Sequence, residues 1–426
     1  MAGQTHIVGA GIAGLSAALS ATSFGRRVVL YEAAPQIGGR CRTIQTSGGF
    51  QHDNGTHALL SANRRTLAFL KTVGARKHWL EPEPEGITLY NSTTGSVERV
   101  GLSPWSWLLA SQRPSGLSAS DLPLLVRLAF SRTDRPVKSL VGNRPILKNL
   151  LEPLTVSVLN TPVEEASSQR LGEVLRRLLY PGSVKLLVAE RSLSQDLADP
   201  ASHELEARGA KIFLRQRLRQ IHTADGRAVA LAFNDRTLIL RPEDQVILAL
   251  PPWEIQRLLP KIPVPTEFES IINIHFRCDG APRPRFVGLL GTMAQWVLVR
   301  SDHVSVTISA ARAVIEQDPG TLIKRTWKEI VPVLRHLGLS GLCREEPAAK
   351  LVKERRATIR QSAGLIPQTP VRPLLNLALA GDWLGRLPAT IESAVTSGEE
   401  AISALSSADY SRHLPGKNNS VHMEAV

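Results

Sequence analysis

The stretch "THIVGAGIAGLSAALSATSFGRRVVLYE", Thr5–Glu32, decides the fold. It reads as strand, glycine turn, helix, second turn and second strand, ending on a carboxylate. Gly9, Gly11 and Gly14 form G-x-G-x-x-G directly after the first strand, and Glu32 follows the third glycine by 18 residues. The glycines allow a tight turn and close approach of backbone to a pyrophosphate. The helix start offers unpaired N–H groups to that anion, and the carboxylate accepts from ribose hydroxyls. The glycines alone are weak evidence, but strand, helix and Glu32 together predict a dinucleotide site.

Six residues past Glu32, "GGRCR" sets Gly38 and Gly39 before Arg40 and Arg42. Paired glycines give close backbone approach, and the guanidinium groups can fork onto phosphate oxygens. Near the other end, "LALAGDW" carries Asp382 to the tip of a buried-type strand. Pro388 then opens a helix whose first turn is Ala389, Thr390, Ile391 and Glu392. Such a helix start faces an electron-rich group, and a carboxylate before it suits a polyol chain. Two nucleotide-facing helix starts nearly 380 residues apart imply a long cofactor, and flavin adenine dinucleotide (FAD) fits.

Between these ends lies a third strand-rich block, Gly209–Trp253. The three blocks predict an α/β chain: a Rossmann-type FAD-binding domain in pieces 1–62, 200–255 and 351–405. Insertions 63–199 and 256–350 form an α+β substrate domain, and 406–426 is a polar tail. The insertion stretch Leu102–Phe130 is either a helical hairpin or a surface segment that dips into lipid.

The 426 residues carry 51 Lys and Arg against 38 Asp and Glu, a net charge of +13. Such an excess favours nucleic acid, an anionic membrane or acidic ligands, beside the plainer reading of solvated faces. No zinc-finger spacing, basic-region heptad or aromatic-basic RNA motif is present, which argues against nucleic acid. Cys41, Cys278 and Cys343 are odd in number and widely spaced, as reduced thiols of an intracellular protein would be. The apolar N-terminus lacks the basic flank of a signal peptide, and no run of 18 apolar residues predicts a spanning helix.

"GFQHDNGTHALL", Gly49–Leu60, invites a metal reading, but His52 and His57 have no Cys or carboxylate set at zinc spacing. No metal is expected. "VGAGIAGLSAA…VVLYEAAPQIGGRCRT", "DNGTH", "VILALPPWE" and "AGDWLGRLPATIESAVTSGEEA" together resemble the FAD-dependent amine oxidase and phytoene desaturase superfamily. "TLAFLKTVG", "LNTPVEEAS" (Leu159–Ser167), "LSQDLADPA" (Leu193–Ala201), "IINIHFR" (Ile271–Arg277) and "KERRAT" (Lys353–Thr358) resemble its squalene-associated branch, the hydroxysqualene dehydroxylases of hopanoid synthesis. Residues 85–145 and the tail fall outside the resemblance.

The resemblance implies an amine-oxidase-like fold and an oxidoreductase that removes the allylic hydroxyl of hydroxysqualene by hydride transfer from reduced flavin N5. It puts the pyrophosphate at Gly9, Gly11 and Gly14, the adenosine ribose at Glu32 and the adenine at the backbone of Leu218. Asp382 then binds the ribityl-phosphate portion, and the helix near Ala389 points at the flavin N1/O2 edge. With no cysteine near that motif to tether it, FAD is expected to be non-covalent. His57 and Asn273 are the candidate catalytic residues. His57 lies in "DNGTH" beside the isoalloxazine and titrates in a useful range; a packed core histidine is the alternative. Asn273 stands where amine oxidases carry a lysine. Asp53 reads as a turn or supporting residue. Trp253 lines the pocket or packs in the core, and His275 reads as core.

The alternatives are an oxidative carotenoid-type desaturase, an amine oxidase and a non-redox flavin-bearing scaffold. The implied partners are a lipophilic isoprenoid substrate, an anionic membrane surface and other squalene or hopanoid pathway enzymes. The expected place is the cytoplasm, at the inner face of the cytoplasmic membrane.

Overall fold

The computed structural model describes residues 3–179, 184–279, 281–343 and 345–412. Five strands, β1 (Gln4–Val8), β2 (Arg27–Tyr31), β3 (Lys211–Phe213), β4 (Gln245–Leu248) and β5 (Leu377–Leu379), form a sheet of order β3-β2-β1-β4-β5. Every pair is parallel. Alternation along the strands builds a layer on each face. Ile7, Leu30 and Ile247 point to the helices, whereas Val8, Val29 and Leu248 point to a three-stranded antiparallel layer of residues 220–239.

Helix α1 (Ile12–Ser23) is buried over most of its surface. Its small residues let the C-terminal helix, Ile391–Arg412, cross closely: a Cβ on Gly398 would lie 2.4 Å from the Ala13 carbonyl oxygen, and Ser16 donates to the Val395 carbonyl at 2.8 Å. That crossing holds the first and last cofactor motifs side by side.

A mixed seven-stranded sheet builds the second region, ordered Ala349–Ile359, Phe268–Arg277, His303–Ile308, Trp296–Val299, Arg285–Leu290, Ile87–Asn91, Val97–Val100. Ile272, Ile274 and Phe276 pack under the helix Pro319–His336 with Val304, Val306 and Ile308. By the same period of two, Asn273, His275, His303, Ser305 and Thr307 occupy the other face, which meets residues 50–56. A helical unit with its own core, including Leu128, Ile146, Leu151, Leu159 and Leu171, completes the insertion.

Packing moves several expected boundaries. Phe69, Leu70 and Trp79, with Leu187, Ala189, Leu193, Leu197 and Ala198 from inside the expected insertion 63–199, lie in the core around α1, whereas Val188 packs with Leu186, Phe286 and Leu298. Ile255 and Leu258 stay with the parallel sheet, and the strand Ala349–Ile359 runs across the expected border at 350/351. Local strand and helix patterns do not report which core a segment joins. The C-terminal helix continues to Arg412, so residues 406–412 are helical; the rest of the expected tail lies outside the described residues.

Candidate active site

The glycine turn sits at the carboxyl end of β1, between β2 and β4. Gly9 has φ +103°, and a Cβ there would stand 2.2 Å from the Ala249 carbonyl oxygen; a Cβ on Gly14 would stand 1.8 Å from the Gly9 oxygen. Gly11 differs: its Cβ would meet nothing within 4 Å. Gly9 and Gly14 are thus fixed by packing, and Gly11 by the open space it leaves. Gly11 is also the N-cap of α1, with no side-chain cap and no acidic residue in the first turn, so the helix keeps its N–H groups for an anion.

The second glycine loop closes against the first, with Gly38 N–H donating to the Ala10 carbonyl at 2.8 Å and Gly39 packed on the Gly11 Cα. The Glu32 carboxylate accepts from the N–H groups of Ala10 and Ala34, each at 2.8 Å, which fixes it at the rim with lone pairs to spare. The Leu218 carbonyl accepts from Arg257 at 2.7 Å. Arg42 lines the loop through its carbonyl, which receives the Asn54 N–H at 2.8 Å.

Arg40 joins the two ends of the chain. Its Nη2 donates to Asp382 Oδ1 at 2.6 Å and its Nη1 to the Ala357 carbonyl. The Asp382 carboxylate holds Arg40 firmly charged. Arg40 leaves 42% of its side chain open and Asp382 only 11%, so the open guanidinium face is the one an anion would meet. Beyond Asp382 the helix begins at Ile391, two residues later than the expected first turn. Ala389 N–H goes to Gln361 Oε1 at 3.0 Å and Thr390 N–H to Ser393 Oγ at 2.9 Å. These two expected backbone donors therefore have protein partners, and Ile391 is the first residue at the helix start whose N–H has no partner shown.

His57 lies beside Arg40 and Asp382. Burial, reinforced by the Arg40 guanidinium, pushes it down to about 4, against the opposing pull of the Arg40 carbonyl and the Asp382 carboxylate. The expectation of a histidine titrating near neutrality is corrected: here the imidazole is neutral at pH 7. Asn273 is buried, its Oδ1 accepting from Thr307 Oγ1 at 2.9 Å and from Thr56 N–H at 3.4 Å. Asp53 is a tie on a strand: it accepts from Thr43 Oγ1 and Leu193 N–H, both at 2.9 Å, and faces Arg300 at 3.3 Å. Trp253 stands edge-on to Phe268 at 5.3 Å under the Arg356 guanidinium at 4.8 Å, an aromatic–cation stack. Cys41 is buried with its thiol pushed up to about 12, and the Cys278 thiol donates to the Phe276 carbonyl at 3.5 Å. The Cys343 side chain lies outside the described residues.

Two glycine loops, the Glu32 carboxylate at their rim and a second helix start meet at the carboxyl ends of one parallel sheet, and residues 12–404 match the flavin containing amine oxidoreductase family. The chain belongs to that family. Hydroxysqualene dehydroxylase from Zymomonas mobilis subsp. mobilis is 36% identical over 409 residues, covering 93% of this chain and 97% of that protein. The Rhodopseudomonas palustris hydroxysqualene dehydroxylase is 32% identical over 414 residues, covering 94% and 98%. The fold matches a solved oxidoreductase from Methanosarcina mazei with a TM-score of 0.72 at 17% identity, over 94% of this chain and 100% of that one.

Sequence reasoning missed three features of this flavin-family site. Arg170 is 1% exposed, with no carboxylate among its hydrogen-bond partners. It donates to the carbonyls of Leu387 at 2.5 Å and Gly385 at 3.2 Å and to Gln361 Oε1 at 3.4 Å, bracing the loop before the C-terminal helix. The clue was an arginine on the apolar stripe of Val174 and Leu178. The Glu392 carboxylate caps the helix Arg64–Thr72, accepting from Thr66 N–H at 2.9 Å. His52 stacks on His275 at 4.4 Å, and His303 lies edge-on to His275 at 6.1 Å, all three buried. Burial drives His52 and His275 down, the latter far below its usual value.

Proposed function

We propose that the chain binds FAD non-covalently and converts hydroxysqualene to squalene. The observation that carries the cofactor is the cradle itself: the open position at Gly11, the uncapped start of α1 and the Arg40–Asp382 pair fit a pyrophosphate and its flanking polyol. Similarity to hydroxysqualene dehydroxylases over nearly the whole chain supports the substrate. Bound FAD, once reduced by two electrons, supplies the hydride and proton that balance exchange of C–OH for C–H with release of water.

The protein residues orient and exclude water. Glu32 holds ribose hydroxyls, and the open face of Arg40 meets phosphate oxygens. Ile391 N–H leads the C-terminal helix toward the electron-rich edge of the ring, where a helix start stabilises negative charge by roughly 0.3–2 kcal/mol. Neutral His57 offers a ring-nitrogen lone pair that can orient the substrate hydroxyl. Asn273 backs the Gly55–Thr56 turn from the sheet side. The hydrocarbon substrate has one polar handle, so its source is a bilayer, and the chain works at the inner face of the cytoplasmic membrane near other isoprenoid enzymes.

The test is product analysis. Pre-reduced holoenzyme should turn hydroxysqualene into squalene, and oxidised holoenzyme should leave a carotene precursor unchanged. Desaturation of the polyene with no squalene formed would reverse the assignment. Release of FAD on acid denaturation checks the non-covalent link.

A further inference from the structure

Six of the thirteen large apolar side chains exposed among the described residues fall in one 26-residue stretch: Trp105, Leu108, Leu109, Leu122, Val126 and Phe130. The other seven are spread over residues 24–375. Leu122, Val126 and Phe130 recur every fourth residue, forming an exposed stripe along the helix Leu122–Ala129, while Leu125, Leu128 and Ala129 on its other side are buried. Trp105 donates to the Leu179 carbonyl at 3.2 Å and the Arg176 guanidinium sits 5.9 Å from the Phe130 ring, so loop and stripe flank the same end of the helix Ser168–Leu178. A helix apolar on both sides and open on one is built to meet an apolar phase.

The exposed charges carried by the segment itself have one sign, while just outside it Glu173 pairs with Arg176. Within residues 101–133, Arg113, Arg127 and Arg132 are exposed; the lone carboxylate, Asp121, is buried and bonded to Arg144 at 2.8 Å. Two copies meeting through this face would bring arginines against arginines, whereas an anionic surface would neutralise them. We propose that this face docks on an anionic lipid bilayer, with the apolar side chains in the headgroup region and the arginines at lipid phosphates.

The face also has a rigid link to the cofactor site. Helix Leu122–Ala129 packs so tightly on helix Ser168–Leu178 that a Cβ on Gly172 would lie 2.6 Å from the Leu128 carbonyl oxygen. Arg170, on that second helix, braces Gly385 and Leu387 ahead of the C-terminal helix. The purpose of the docking, loading a lipid-soluble substrate, rests on the dehydroxylase reading; the docking itself does not.

The experiment is flotation of the full-length holoenzyme with vesicles of phosphatidylcholine alone or mixed with phosphatidylglycerol. The parent should float with the anionic vesicles, and the Leu108→Asp/Leu109→Asp pair should bind about tenfold or more weakly. Arg127→Glu/Arg132→Glu should remove the preference for anionic over neutral vesicles and the sensitivity to salt. Ile239→Asp, on the three-stranded layer where Ile239 is 72% exposed, should change nothing. Flavin content and melting temperature establish that each variant is folded. Unchanged flotation of the leucine pair would overturn the proposal, as would a parent dimer that those substitutions dissociate. Vesicle binding needs no substrate, so intact docking without squalene formation would count against the dehydroxylase reading alone.

Discussion

The segment Gly49–Leu60 has two neighbours that follow different rules. On the cofactor side, each contact is fixed by short-range geometry: a glycine that must be bare, a helix start without a cap, a guanidinium facing a carboxylate. On the sheet side, Asn273, His275, Ser305 and Thr307 meet the segment because two strands far apart in sequence pair in one register. The first kind of site is intolerant of added atoms. The second kind is sensitive to protonation and to the loss of individual hydrogen bonds.

The largest expected effect lies on the cofactor side. Gly14→Val should cost more than about 4 kcal/mol and yield no flavin-bound protein, because even a Cβ overlaps the Gly9 carbonyl. Gly11→Ala separates binding from folding. Its Cβ meets no protein atom, so melting of the cofactor-free protein should be unchanged while FAD affinity falls. Equal FAD affinity in that variant would remove Gly11 from the cradle.

At the border of the two regions, His57→Gln should retain flavin and lower turnover by about 10²-fold, measured as squalene formed per flavin. Full turnover would make His57 a packing residue. Asp382→Asn should lower stability by about 1–2 kcal/mol in thermal unfolding, less than for a fully buried pair because Arg40 is partly open. An unchanged melting curve would mean that solvent already screens the pair.

The sheet side shows itself in the pH dependence. His52 and His275 have depressed values in the fold, as does His57 at about 4, so the unfolded chain binds protons first as pH falls below about 6.5. Stability is therefore full above that pH and declines from about 6.5 toward 4, by at most about 1.4 kcal/mol per unit for each histidine. His52→Asn should flatten the decline in denaturant titrations between those limits. A steeper decline would place the acid sensitivity elsewhere.

The same division explains what could be read from the chain. The G-x-G-x-x-G turn, Glu32, the second glycine loop and the helix after Asp382 are local patterns, each implying its own backbone geometry. The pairing of Arg40 with Asp382 joins residues 342 positions apart, brought together by the parallel sheet and by the crossing of α1 with the C-terminal helix. Arg170 and the histidine stack left weaker marks, a polar residue on an apolar stripe or in an alternating strand, because their partners come from separate elements. Domain borders follow from the strand-rich blocks, whereas Phe69, Leu197 and Leu258 join cores by packing.

The most direct measurement is an anaerobic single turnover. Holoenzyme reduced to the two-electron state and mixed with hydroxysqualene should form one squalene for each flavin reoxidised, with the flavin absorbance returning at the rate at which squalene appears. Flavin that stays reduced while hydroxysqualene is recovered unchanged would contradict the assignment of this site to reductive dehydroxylation.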